Sequence, residues 1–143
     1  MTDDARWVTA RIGKNGFHTN VNAASHHMIS DEPGSVGGAD RGPTPYEYLL
    51  AGLGACTAMT LRVYADRKQW PLEGAIVELR SGHSHEKDCE KCATEKVSIG
   101  TIERRITLEG PLTDEQRTRI LEIADRCPVK QTLERGIHVV AVE

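Results

Sequence analysis

The 143-residue sequence is poor in aromatic side chains, which make up 4% of it and include a single Phe. A core built from large rings is therefore excluded, and Leu, Ile, Val and Ala must supply most of the buried apolar surface. Charge of one sign is also lacking, because 18 Lys and Arg stand against 21 Asp and Glu for a net charge of −3. Such mixed charge argues against nucleic acid or a membrane surface as a partner.

Long apolar runs are missing too. The longest, from Tyr48 to Leu61, is shorter than the roughly 20 residues that cross a bilayer, and it predicts a buried helix. Residues Met1 to Arg6 lack the basic-then-apolar order of a signal peptide, so we expect a cytoplasmic protein without a membrane partner. In that compartment the four cysteines are expected to be reduced, catalytic or metal-bound rather than a structural disulfide set.

Length and element order predict one domain over residues 1–143 with an α+β fold. Alternating polar and apolar residues predict strands, and a turn at Lys14-Asn15-Gly16 joins the first two. The glycine- and proline-rich stretch from Asp31 to Pro43 predicts a loop. The predicted strands are Arg6–Ile12, Phe17–Ala23, His27–Ser30, Ala75–Arg80, Gly100–Leu108 and Ile137–Val142.

Helix signals are strongest after that loop. Thr44 is the predicted N-cap, Pro45 occupies the first helical position and Glu47 completes a capping box. The helix is apolar on nearly every face and contains Gly52 and Gly54, each of which costs about 1 kcal/mol relative to Ala. We therefore expect very close packing there, and cover on both sides that a second subunit completes as a homodimer.

Two further helices are predicted near the C-terminus. Thr113 begins a second capping box with Gln116, and the helix that follows runs toward Cys127. Pro128 suits the first position of another helix, which Gly136 would stop.

Two cysteines stand in different helical settings. Cys56 lies inside the apolar helix, whereas Cys127 precedes Pro128, where the free N–H groups of a helix start lower a thiol pKa. This difference suits an attacking thiol and a resolving one. The alternative for each is a small buried side chain without chemistry. Glu47 likewise has a structural explanation in the capping box, which is compatible with a role in a site.

A polar segment between two predicted strands carries further candidates. His83, His85, Cys89 and Cys92 are borderline-soft donors at spacings that a tetrahedral zinc ion accepts. A solvated hairpin tip or a reversible Cys89–Cys92 disulfide are the alternatives. The sequence leaves these three interpretations open.

Two segments of the chain resemble the OsmC/Ohr family, which is named for osmotically inducible protein C and organic hydroperoxide resistance protein. The first runs from Gly38 to Arg62, with Cys56 near its end, and the second is Ala124-Asp125-Arg126-Cys127-Pro128-Val129. The resemblance covers nearly the whole chain. It implies an OsmC-like α+β fold of two intertwined subunits, with central apolar helices packed against antiparallel sheets.

The resemblance also implies a thiol-dependent peroxidase that reduces organic hydroperoxides at the expense of a small-molecule or protein dithiol. Cys56 matches the peroxidatic cysteine, which becomes a sulfenic acid, and Cys127 the resolving cysteine, which captures it as a disulfide. No haem, flavin or nucleotide is implied. Glu47 is the candidate for the family's helix-start glutamate. The family pattern places that glutamate one position earlier, where this chain has Tyr46.

The chain is most similar to a less characterised branch of that family. Members of this branch carry Gly-Pro-Thr-Pro-Tyr-Glu before the helix and a His-x3-Cys-x2-Cys loop, which His85, Cys89 and Cys92 match here. An alternative function follows from this loop: a metal- or thiol-binding module that retains the fold while its peroxidase chemistry is vestigial or lost.

Overall fold

A computed structural model describes residues 6–142 of the chain. Within them the predicted α+β class is confirmed, with five strands and four α-helices. The chain divides into two compact units, residues 6–49 with 82–99 and residues 50–81 with 100–142; the single domain over 1–143 stays a prediction. The elements are β1 Val8–Ile12, β2 Thr19–Ala23, β3 His26–Ser30, α1 Pro45–Lys68, β4 Gly74–Arg80, α2 His85–Lys91, β5 Glu103–Glu109, α3 Asp114–Ile123 and α4 Pro128–Arg135.

The first unit is built on a three-stranded antiparallel sheet in the order β1-β2-β3. The predicted turn between the first two strands is confirmed, and Gly16 adopts there a φ of +70° that suits glycine. After β3 the chain enters the predicted loop, which Asp31 organises from a buried position. Its carboxylate accepts the N–H of Glu32 at 2.8 Å and that of Arg41 at 3.3 Å.

Helix α1 begins as the sequence predicts. Thr44 N–H donates to Glu47 Oε2 at 2.8 Å, and Glu47 N–H donates to Thr44 Oγ1 at 3.3 Å, which closes the capping box. The predicted close packing is confirmed at Gly54, where an added Cβ would lie 2.7 Å from Leu79 Cδ1. At Gly52 an added Cβ would meet nothing within 4 Å. The helix therefore has one tightly packed face and one open face.

The second unit packs α1 and α3 with the antiparallel pair β4-β5 around one core. Thr113 and Gln116 form the predicted capping box at the start of α3. Pro128 is the first residue of α4, and Gly136 follows its end, as predicted. Because both starts are set by short-range hydrogen bonds or by proline, local sequence is sufficient to place them. The buried core residues are Leu61, Ala65, Leu72, Leu112, Ile120, Ile123 and Ala124.

The structure corrects two predictions. Helix α2 lies where a loop was expected, because its one buried residue is the polar Asp88 and no apolar period marks it. The prediction of a strand at Ile137–Val142 is wrong for the single chain, in which these residues join no sheet. Val139 and Val140 are 95% and 74% exposed, because a strand forms only where a sheet edge is available to pair with it.

Helix α1 is longer than its apolar run. Within residues 6–142 it is the one helix whose length and composition would also suit a membrane span, with a mean hydropathy of 1.2. The core helix of a globular domain meets the same criterion, and α1 buries Leu61 and Ala65 in the core of the second unit. This match is therefore weak support for a membrane segment.

Candidate functional site

The structure brings Cys56 and Cys127 together in the second unit. Both are free thiols, and they lie close enough for each to shift the pKa of the other. Cys56, on α1, is half-buried, whereas Cys127, at the start of α4, has no exposed surface. A small reagent from solvent can therefore react directly with Cys56, whereas Cys127 has no surface that solvent can reach.

Arg104 holds the turn that delivers Cys127. It lies on the inner face of β5 among apolar residues, and its side chain is 18% exposed. Its guanidinium donates to the Ala124 carbonyl at 3.3 Å and to Asp125 Oδ1 at 2.9 Å. This charge-assisted capping of the turn after α3 explains a charged residue at an inward position.

Their surroundings move the pKa values of the two thiols in opposite directions. Burial raises the pKa of Cys56, and its contact with Cys127 raises that pKa further, against the lowering effect of the Val129 N–H. Burial acts in the same direction on Cys127, but the Lys130 N–H at the start of α4 and the contact with Cys56 outweigh it, so the pKa of Cys127 is lowered. Cys127 therefore loses its proton at a lower pH than Cys56 does.

Cys56 opens into a groove of about 620 Å³. The lining is mainly apolar, and Arg67 and Arg126 add positive charge to it. The sequence pattern does not single out Arg126 as a groove residue, and its position directly before Cys127 is the one available signal. The groove is lined by Gly52, Ala55, Cys56, Met59, Thr60, Val63, Tyr64, Arg67, Ile123, Arg126 and Pro128.

Two further residues of α1, Glu47 and Arg62, make structural contacts. Glu47, a predicted catalytic residue, uses its carboxylate in the capping box with Thr44 in the first unit; its catalytic role stays a prediction. Arg62 donates both Nη atoms to the Leu72 carbonyl at 2.8 and 2.7 Å, and it pairs with Asp66 at 3.1 Å. The guanidinium of Arg62 is therefore engaged in holding the chain after α1.

The predicted zinc ligands lie in the first unit, around α2. The Sγ atoms of Cys89 and Cys92 are 3.8 Å apart. Each histidine lies against a carboxylate, with His85 Nδ1 2.7 Å from Glu32 Oε1 and His83 Nδ1 beside Asp88. Across residues 6–142, three or more His, Cys, Asp or Glu side chains nowhere gather into a set that could hold a metal ion. The zinc site stays a prediction.

Comparison with known proteins places this site in context. A protein-family model described as OsmC-like protein matches residues 37–141, which include all four cysteines. No curated protein matches the chain.

Several solved structures share the fold. The chain matches an OsmC-like protein from Mycoplasma pneumoniae with a TM-score of 0.70 and 18% identity, over 93% of this chain and 89% of that one. An organic hydroperoxide resistance protein OsmC from Legionella pneumophila gives 0.62 and 18%, over 92% and 90%. A putative organic hydroperoxide resistance protein from Vibrio cholerae, with captopril in one of its active sites, gives 0.55 and 16%, over 91% and 87%. At these identities the likeness shows the fold alone.

Proposed function

Because the chain belongs to the OsmC-like family, we propose that it is a thiol-dependent peroxidase that reduces organic hydroperoxides with Cys56 and Cys127. The observation that carries this proposal is the contact between a groove-lining thiol and a buried thiol of lowered pKa. The names of the structures from Legionella pneumophila and Vibrio cholerae as organic hydroperoxide resistance proteins support a redox role.

In the first step the organic part of the hydroperoxide lies in the groove, against Met59 and Val63. Cys56 passes its proton to the Cys127 thiolate, and the Cys56 sulfur attacks the terminal oxygen. The S–O bond forms as the O–O bond breaks, and the alkoxide takes the proton from Cys127 and leaves as an alcohol. The positive charge of Arg126 in the groove wall favours the charge that develops on the leaving oxygen.

In the second step the Cys127 thiolate attacks the sulfur of the Cys56 sulfenic acid. A disulfide forms, and the hydroxide that leaves takes a proton from solvent and becomes water. A small-molecule or protein dithiol then reduces the disulfide by two electrons and is itself oxidised to a disulfide. The cycle uses thiols alone, and the cytoplasm, which keeps thiols reduced, is the compartment that suits it.

A second subunit is the partner that we propose for this chain. Met59 and Val63 on the open face of α1 are 66% and 49% exposed, and Val139 and Val140 are exposed as well. Exposed apolar surface of this kind is typical of an interface. We expect light scattering to give twice the chain mass of 15.8 kDa. A monomer mass at micromolar concentration would contradict the homodimer.

A thiol map tests the peroxidase proposal. Fully reduced protein is treated with one equivalent of cumene hydroperoxide, remaining thiols are alkylated, and the cysteines are located by mass spectrometry. We expect a stoichiometric Cys56–Cys127 disulfide, because these two thiols are already in contact. The reduced protein carried through the same alkylation is the control.

The opposite result favours the alternative function. If Cys56 and Cys127 stay reduced while the exposed pair Cys89 and Cys92 reacts, the peroxidase proposal fails. The chain would then be a metal- or thiol-binding module on an OsmC-like fold, with its chemistry in the segment around α2.

A further inference from the structure

A second pair of thiols, Cys89 and Cys92, is not used by the proposed peroxidase cycle. Both are exposed and free, and their Sγ atoms are 3.8 Å apart. Cys89 lies in the last turn of α2, and Cys92 follows the helix with helical backbone angles of −62° and −22°. The pair therefore faces solvent on a short, regular piece of backbone.

The backbone geometry is compatible with a disulfide. Residues three apart in a helix have Cα atoms roughly 5 Å apart, which is inside the range of about 4.4–6.8 Å found for disulfides. The two Sγ atoms must close from 3.8 Å to about 2.05 Å. Side-chain rotation of two exposed residues can supply most of this movement.

Buried polar contacts hold the part of α2 that precedes the pair. Asp88, 8% exposed, accepts the Tyr46 hydroxyl at 2.5 Å and lies 3.1 Å from His83 Nδ1. His85 is fixed in turn by Glu32, which is 4% exposed. A helix held at its start in this way keeps its backbone fixed while the sulfur atoms change partners.

The same surroundings distinguish the two thiols. The contact with Cys92 raises the pKa of Cys89, and the charge of Glu32 raises it further. Cys92 Sγ lies 3.2 Å from the Cys89 carbonyl, so the Cys92 thiol can donate to the backbone of α2. Both thiols are exposed, and a disulfide from solvent can reach either one.

We propose that Cys89 and Cys92 form a second redox site, a dithiol that reduces low-molecular-weight disulfides. One of the two thiols loses its proton to solvent, and its thiolate attacks one sulfur of the disulfide, forms a mixed disulfide and releases one thiolate, which takes a proton from solvent. The other thiol then loses its proton to solvent and attacks the protein sulfur of the mixed disulfide, releasing the second thiolate, which is protonated in turn. Two protein thiols are oxidised by two electrons, and one disulfide becomes two thiols.

The test uses the full chain carrying Cys56→Ser and Cys127→Ser, so that the outcome does not depend on the peroxidase proposal. This protein is equilibrated with oxidised and reduced glutathione at a series of ratios, alkylated and weighed. We expect an intramolecular Cys89–Cys92 disulfide whose fraction rises with the share of oxidised glutathione. Adding Glu115→Gln, at an exposed position on α3 in the second unit, should leave the curve unchanged.

Adding Cys89→Ser to the same background removes the thiol that completes the exchange. We expect a glutathione adduct on Cys92 at least about tenfold more abundant than in the parent, where Cys89 displaces it. Circular dichroism checks that the variants fold. Complete alkylation of both thiols at every ratio would overturn the proposal, as would stable adducts on both cysteines or a disulfide between two chains.

Discussion

Replacing Cys56 with Ser is expected to lower the rate of cumene hydroperoxide consumption by at least about a thousandfold, because a hydroxyl is a far weaker nucleophile than a thiolate. The rate is measured at saturating dithiothreitol, so that reduction of the enzyme does not limit it. Ala51→Ser, at an exposed position of the same helix, introduces the same hydroxyl and should leave the rate near that of the unchanged protein.

The companion variant Cys127→Ser separates the two thiol roles. Cys56 loses its proton acceptor and its resolving partner, so we expect a slow single turnover that leaves a sulfenic acid, which dimedone traps on Cys56. Steady-state turnover should be low. Normal turnover in both serine variants would show that the peroxide is reduced elsewhere in the chain.

Ile120→Ala is expected to lower the free energy of unfolding by about 2–5 kcal/mol. Ile120 has no exposed surface and lies in the core of the second unit, so its truncation removes buried apolar contacts and leaves a cavity. The measurement is urea unfolding followed by circular dichroism at one fixed protein concentration, because association would shift the midpoint.

The neighbouring residue provides the matched control. Leu121 is on the same helix but 43% exposed, so Leu121→Ala should change the free energy of unfolding by less than about 1 kcal/mol. Equal midpoints for the two alanine variants would mean that α3 does not present Ile120 to a core, and the described packing of the second unit would then be wrong.

Local signals in the sequence were enough to predict most helix starts. The capping boxes at Thr44 and Thr113 and the proline at Pro128 depend on residues within one turn of each other, so no knowledge of the fold is needed. The alternation along β5 is also readable from the sequence, and the structure places Arg104 on the inner face of this strand. Its reason, the capping of the turn before Cys127, depends on a contact that spacing does not reveal.

Features that depend on distant partners were beyond local reasoning. Helix α2 is tied down by the hydrogen bond from Tyr46 to Asp88, which no periodic pattern announces. The apolar stretch Ile137–Val142 has the composition of a strand, yet within one chain it joins no sheet. The helical settings and the family resemblance suggest complementary roles for Cys56 and Cys127, but their proximity is visible only in the structure.

Cys127 is completely buried and lies beside Cys56, and this arrangement bears on how oxidant would inactivate a peroxidase of this kind. Once Cys56 is a sulfenic acid, a second peroxide that enters the groove competes with the adjacent Cys127, and its success would give the irreversible sulfinic acid. The neighbouring thiol acts at a constant effective concentration, whereas the peroxide acts at its concentration in solution. Under the proposed cycle, inactivation would therefore depend on dose: the chain would stay active under a low, sustained supply of oxidant and would be inactivated by a sudden excess.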